Sequence, residues 1–198
     1  MMRRRIAFAA LTLAVGLAAG CGTPPPSRFY TLAATATATA TPTPSTLVIA
    51  VGPVTVPSIV DRPEFVVSTG PNEVRLDDFN RWAAPVQDGL SRAIAENLVA
   101  LLGTPRVVRF PQTLGAEPDY RVIVEVRTFE STPGNSASLD AVWTVRRMSD
   151  GKAETGRTSA REAVTENGYD ALAAAHSRAA ARLSQDIARA TQALQRAP

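Results

Sequence analysis

From residue 47 onward the chain switches between stretches whose apolar residues repeat every two positions and stretches where they repeat every three or four. Leu47-Val48-Ile49-Ala50-Val51 is continuously aliphatic and stops at Gly52-Pro53, which predicts a strand buried on both faces. Val54-Thr55-Val56 carries on raggedly to Pro57. Phe65-Val66-Val67-Ser68 and Glu73-Val74-Arg75-Leu76 flank Thr69-Gly70-Pro71-Asn72 and read as a short hairpin. After a brief strand at Arg106 to Phe110, residues Asp119 to Glu130 alternate. Tyr120, Val122, Val124 and Val126 fall on one face, and Arg121, Ile123, Glu125, Arg127 and Phe129 on the other. Ser138 to Met148 repeats the pattern with Leu139, Ala141, Trp143 and Val145 inward. Asp150-Gly151 is a tight-turn signal into Lys152 to Val164, which is polar on both faces and is expected at a sheet edge.

Two stretches carry the helical period. Val86, Leu90, Ala93, Ile94, Leu98 and Leu101 recur at spacings of three and four, with Pro85 at the start and Gly103 at the stop. Asp77-Asp78, just upstream, are candidate caps. The second helix runs from about Tyr169 to Leu194, with Leu172, Leu183, Ile187 and Leu194 close to one stripe and alanines between them. The order β-β-β-α-β-β-β-β-α predicts an α+β two-layer sandwich, a mainly antiparallel sheet with two helices packed on one face. The other sheet face, with Ile123, Phe129, Val142 and several arginines, is left without a helix. Either it serves as a protein-protein interface or strand twist and loops cover it.

The first 46 residues follow different rules. Arg3, Arg4 and Arg5 precede an uncharged run from Ile6 to Ala19, too short for a bilayer span of roughly 20 residues but suited to a signal peptide over 1–20. Ala18-Ala19-Gly20-Cys21 resembles a bacterial lipobox, with Ala18 where a large aliphatic residue is usual. That resemblance implies a thioether diacylglycerol and an N-acyl chain on Cys21. Gly22, in place of a retaining Asp, points by analogy to the outer membrane. Residues 21–46 then read as a Pro/Ala/Thr-rich tether, and 47–198 as a single globular domain. Within the tether Arg28-Phe29-Tyr30-Thr31-Leu32 is an apolar island. Two aromatics are costly to leave in water, so the island is expected to dock, on this domain or on a neighbour.

Removing the leader changes the charge picture. The whole chain has 21 basic against 18 acidic residues, and the loss of three arginines leaves 18 against 18. The mature chain is formally neutral, which argues against nucleic-acid binding and an anionic-membrane patch.

Candidate chemistry is sparse. Catalysis by a Ser-His-Asp or Cys-His arrangement needs a histidine and a free nucleophile, and His176 and Cys21 are the only residues of their kinds. Cys21 is taken by the anchor, and His176, mid-helix among alanines, is expected at the surface or boundary. One Cys and one His cannot build a zinc cluster, and no phosphate-binding glycine loop occurs. No cofactor or metal is expected, and a carboxylate pair at Asp77-Asp78 reads as capping before catalysis. The reading is that of a non-enzyme.

Three Pro-bearing segments remain: Pro53 to Pro57, Val60 to Val67 and Asp78 to Val86. They place Arg62, Phe65, Arg81 and Trp82 on stiff connections, which suggests a partner-binding knuckle rich in hot-spot residues. Alternatively, Trp82 seals the core at the helix start and Arg62 or Arg81 pairs with Asp61 or Asp78. These same residues carry a resemblance. A lipobox Cys, a Phe-Tyr-Thr-Leu island, Val-Gly-Pro-Val-x-Val-Pro, Asp-Arg-Pro-x-Phe-Val-Val and Arg-Trp-Ala-x-Pro together resemble the ABC-type transport auxiliary lipoproteins, the paraquat-inducible protein C group. Tyr30, Leu32, Pro57, Arg62, Pro63, Trp82 and Pro85 match that pattern. The long Ala/Thr tract departs from its compact spacing.

The resemblance implies a non-enzymatic outer-membrane component of a lipid-transport system. Its partners would be an MCE-domain protein whose tunnel crosses the periplasm and the subunits of an inner-membrane ABC transporter. The lipid anchor at Cys21 would hold it at the membrane, in a ring of identical subunits. An envelope lipoprotein that regulates peptidoglycan synthesis shares the tether and the small α+β domain and is the alternative.

Overall fold

The computed structural model describes residues 25–38, 44–112 and 117–198. The leader and Cys21 lie outside the described residues. Ten elements follow in order: β1 Arg28–Tyr30, β2 Ile49–Thr55, β3 Glu64–Gly70, β4 Glu73–Trp82, α1 Val86–Leu102, β5 Val107–Arg109, β6 Tyr120–Thr132, β7 Ser136–Arg147, β8 Ala153–Ala163 and α2 Tyr169–Arg196. The strands form two sheets, ordered β5-β2-β6-β7-β8 and β1-β4-β3. β2 runs parallel to both β5 and β6, β7 is antiparallel to β6 and β8, and the small sheet pairs β1 parallel and β3 antiparallel to β4.

The α+β class is as the sequence predicts, but two mixed sheets stand where one mainly antiparallel sheet is expected. Connectivity is the reason. Parallel neighbours need a crossover, and the β3-β4 hairpin plus α1 supply one between β2 and β5. Both helices then lie on one face of the five-stranded sheet, α1 over β2 and β5, α2 over β7 and β8, in contact with each other.

The core sits between these layers. Val122, Val124, Leu139, Ala141 and Val145 face Leu90, Ile94, Leu98, Leu183 and Ile187, all buried. Ala175, Ala179 and Ala180 are buried too, and their small side chains let the α2 backbone approach its support. β8 forms an edge of the large sheet, as its two polar faces predict. Its one glycine here, Gly156, is required: the Trp143 indole spreads over the strand where a Cβ would overlap it.

Two irregularities redirect side chains. On β6 the register runs Val126↔Ala141 and then Thr128↔Asp140, so Arg127 is an extra residue. A β-bulge reverses the alternation beyond it. Phe129 and Ser131 therefore turn inward and are buried, where strict alternation places Phe129 on the outer face. On the small sheet Glu64 pairs with Arg81 but Phe65 with Asp77, leaving residues 78–80 looped out of β4. The Asp77 carboxylate satisfies that loop, accepting from the backbone N–H groups of Phe79 at 3.0 Å and Asn80 at 2.8 Å. Its other oxygen accepts from the Tyr169 hydroxyl at 2.6 Å, tying the small sheet to the first residue of α2.

Asp77 and Asp78 thus belong to a strand and cap no helix. α1 begins after Pro85 with no side-chain bond from its N-cap residue, and the Gln87 backbone N–H donates to the Asp61 carboxylate at 3.4 Å.

Candidate interaction surfaces

Four residues were singled out by sequence, and the structure divides them. Phe65 and Trp82 are core residues, stacked with ring centroids 4.3 Å apart. They belong to an aromatic cluster with Tyr30, Phe129, Tyr169 and His176 that fills the space between the small sheet and α2. Trp82 is 6 % exposed, and what remains of its surface lines a cleft beside Arg81. Inward alternation on β3 and β4 places both rings on the side of α2, the arrangement of the alternative in which Trp82 seals the core.

Arg62 and Arg81 remain partly exposed. Neither pairs with Asp61 or Asp78; both meet Glu64, Arg62 at 3.5 Å and Arg81 at 3.1 Å. The Trp82 N–H donates to the Pro63 carbonyl at 2.7 Å and fixes this corner. Ser27, Phe29, Pro63, Arg81 and Pro85 line a cleft of about 440 Å³ beside it.

His176 corrects another expectation. It is fully buried, with its Nε2 2.8 Å from Ser131 Oγ and its ring stacked 3.8 Å from that of Phe129. Burial drives its pKa down to about 3, so it is neutral across the physiological range. Its Nδ1 has no hydrogen-bond partner. A buried orphan acceptor costs less than a buried orphan N–H, which places the proton on Nε2, donating to Ser131. No carboxylate orients this ring, so it lacks the third member that a nucleophile-base arrangement uses.

Asp77 shows the opposite balance. Partial burial raises its pKa, but hydrogen bonds from Tyr169, Asn80 and the Phe79 N–H outweigh that and hold it at about 2. It is a structural acceptor, ionised across the physiological range. Among the described residues no group of three or more His, Cys, Asp or Glu side chains could hold a metal ion. No helix among them is long and apolar enough to cross a membrane.

Sequence reasoning missed the docking of the N-terminal segment beyond the island. Leu32 is 1 % exposed, and a methyl of its side chain would lie within van der Waals distance of a Cβ at Gly89 on α1. The Ala33 N–H donates to Ser177 Oγ at 3.0 Å and the Ala36 N–H to Asn97 Oδ1 at 2.9 Å, while Arg92 reaches the Leu32 carbonyl at 2.5 Å. Asn97 also donates to Ser184 at 3.2 Å, joining α1 to α2. Residues 28–36 are therefore seated on the domain, where the sequence places a tether running on to residue 46. The signal lay in the helices: Asn97 and Ser177 are polar residues on buried faces, and both need partners.

The outer face of the large sheet carries no helix. It presents Ile123, Glu125 and Arg127 on β6, Val142 on β7, and Arg157 on β8 paired with Asp140 at 2.9 Å. Phe129, expected there, is absent because of the bulge.

The described residues form an α+β domain with a buried, neutral histidine, an outer sheet face that no helix covers and a sewn-in N-terminal segment. The chain belongs to the family of ABC-type transport auxiliary lipoprotein components, whose model matches residues 30–188. The match begins inside β1, at the residue where the docked segment turns inward. Membership makes it an envelope-associated lipoprotein that serves ABC-type transport. Two crystal structures share the fold. One, of an uncharacterized protein, has a TM-score of 0.67 at 21% identity, covering 83% of this chain and 98% of that one. The other, a protein from Xanthomonas campestris, has a TM-score of 0.69 at 18% identity, covering 86% and 100%. No curated protein matches the chain.

Proposed function

We propose that this protein is the non-enzymatic outer-membrane lipoprotein of an ABC/MCE-type intermembrane lipid transport system, held by acyl chains on Cys21 and docked on a periplasm-spanning MCE-domain protein. The observation that carries the reading is the family match across residues 30–188. The uncovered face of the five-stranded sheet supports it. Charged and apolar groups alternate there at Ile123, Arg127, Val142 and Arg157, a composition suited to a reversible protein-protein contact. A ring of identical subunits would repeat that face around the mouth of a tunnel. Lipid would then pass along the tunnel without chemistry on this chain.

The test is crosslinking in intact envelopes followed by purification of the tagged lipoprotein. Recovery of an MCE-domain protein and transporter subunits, lost on Ile123→Asp with Arg127→Glu, is the expected result. Recovery of a peptidoglycan synthase in their place would sink the transport reading and favour the regulator.

A further inference from the structure

The small sheet has an outer face as well as an inner one. Its inner residues Phe65, Val67 and Trp82 are buried, whereas Val74, Leu76 and Phe79 on β4 and Phe29 on β1 are 49%, 42%, 40% and 63% exposed. Register puts these apolar groups together. Leu76 and Val74 pair with Val66 and Ser68, opposite in sense to the inward Phe65 and Val67. Phe29 pairs with Arg81, and Phe79 lies in the adjoining irregular stretch of β4, two positions before Arg81. At the hairpin end the 57–60 segment and β6 border this face and Val66 is buried, while Leu76, Phe79 and Phe29 stay exposed.

The N-terminal segment leaves the domain here. Ser27 lines the same cleft as Phe29 and Arg81, and Cys21 precedes Arg28 by seven residues. Fully extended, seven residues reach no more than about 25 Å. A short tether of this kind holds the face near the membrane at an effective concentration of order mM, so a weak contact suffices. The charges around the face nearly cancel: Arg81 and Arg62 share Glu64, and Asp78 lies between Leu76 and Phe79.

Resting on acylation of Cys21, we propose that the outer face of the β1-β4-β3 sheet lies against the lipid surface, with Phe29, Phe79, Leu76 and Val74 entering the headgroup boundary. Apolar contact, rather than attraction to anionic lipid, drives the docking. Arg81 stands at the phosphate level beside Phe29, with its charge shared between Glu64 and the headgroups. This leaves the outer face of the large sheet, on other strands, free for the proposed protein partner.

The mature full-length lipoprotein, inserted by its own anchor into phosphatidylcholine vesicles, tests this directly. Single cysteines replace Phe29, Phe79 or, as a control on the large sheet, Arg157, and each carries an environment-sensitive fluorophore. A face seated about 5–10 Å into the headgroup and acyl boundary puts the probes at 29 and 79 within reach of brominated lipid, and their emission falls about twofold while that at 157 is unchanged. The quenching persists on adding salt and needs no anionic lipid. Equal quenching at all three positions, or none, overturns the docking even when mass spectrometry finds Cys21 acylated, and the anchoring then stands alone. An unmodified Cys21 overturns both, because the distance argument goes with it. Dependence on anionic lipid overturns the apolar mechanism.

Discussion

Lowering the pH from 7 to 5 acts on the folded domain through a single buried group, the imidazole of His176. In the folded protein burial holds it neutral down to about pH 3. Unfolded, it has an ordinary pKa near 6.5. Falling pH therefore protonates the unfolded chain first and draws the equilibrium towards it. The stability conferred by a neutral His176 is complete above about 6.5 and is lost progressively as pH falls towards 3. Each pH unit inside that window costs about 1.4 kcal/mol, so pH 5 costs about 2 kcal/mol relative to pH 7. Carboxylates contribute little there. Asp77 and Asp150, held at about 2, begin to lose their contribution only as pH falls through about 4 towards 2. Urea unfolding of the mature chain with Cys21→Ser, followed by tryptophan emission at pH 5, 6 and 7, reads this as a midpoint drop of about 1 M at an ordinary denaturant slope. His176→Gln removes the titration and flattens the profile whatever it does to absolute stability. Equal slopes in the two proteins, or a folded-state imidazole resonance titrating near 6.5, would refute the reasoning.

Three further outcomes are expected. Leu32→Ala opens a cavity between the N-terminal segment and α1, lowers stability by about 2–5 kcal/mol and strips hydrogen-exchange protection from the Ala33 and Ala36 amides; unchanged protection there would mean the segment is not held by this plug. Asp77→Ala orphans the looped-out N–H groups of β4 and costs about 1–3 kcal/mol at neutral pH, a gap that narrows as pH falls from about 4 towards 2 and the native carboxylate protonates. Trp82→Ala costs about 3–5 kcal/mol as a core truncation, whereas Arg81→Ala changes stability by less than about 1 kcal/mol because its ion pair with Glu64 is partly solvated. Similar thermal midpoints for these two variants would contradict the division between core and surface.

Most of the fold was legible because its elements are strongly periodic. The two helices, the β6-β7-β8 meander and the β3-β4 hairpin follow from spacing alone. What escaped depends on a single residue or a distant partner. One extra residue at Arg127 flips Phe129 and Ser131 inward, and no local pattern marks it. β1 has three residues, and only its parallel pairing with β4, 52 positions away at Arg28↔Asn80, makes it a strand. His176 sits between small alanines, so its helical neighbours gave no sign that Phe129 and Ser131 would enclose it. Of the four candidate binding residues, side-chain type alone selected Phe65 and Trp82, and the same large aromatic surface that suits an interface had already been spent inside.

The seating of the N-terminal segment sets an order of events for a chain delivered from its N-terminus. Ala33 waits for Ser177, 144 residues downstream, and Ala36 for Asn97. Until α2 arrives, residues 28–36 have only β4 and α1 to dock on, and their bond to Ser177, the most distant along the chain, closes last. Under the proposed acylation of Cys21, the anchor would be fixed before residues 28–36 are fully seated, and closure of the domain would then shorten the path between anchor and fold.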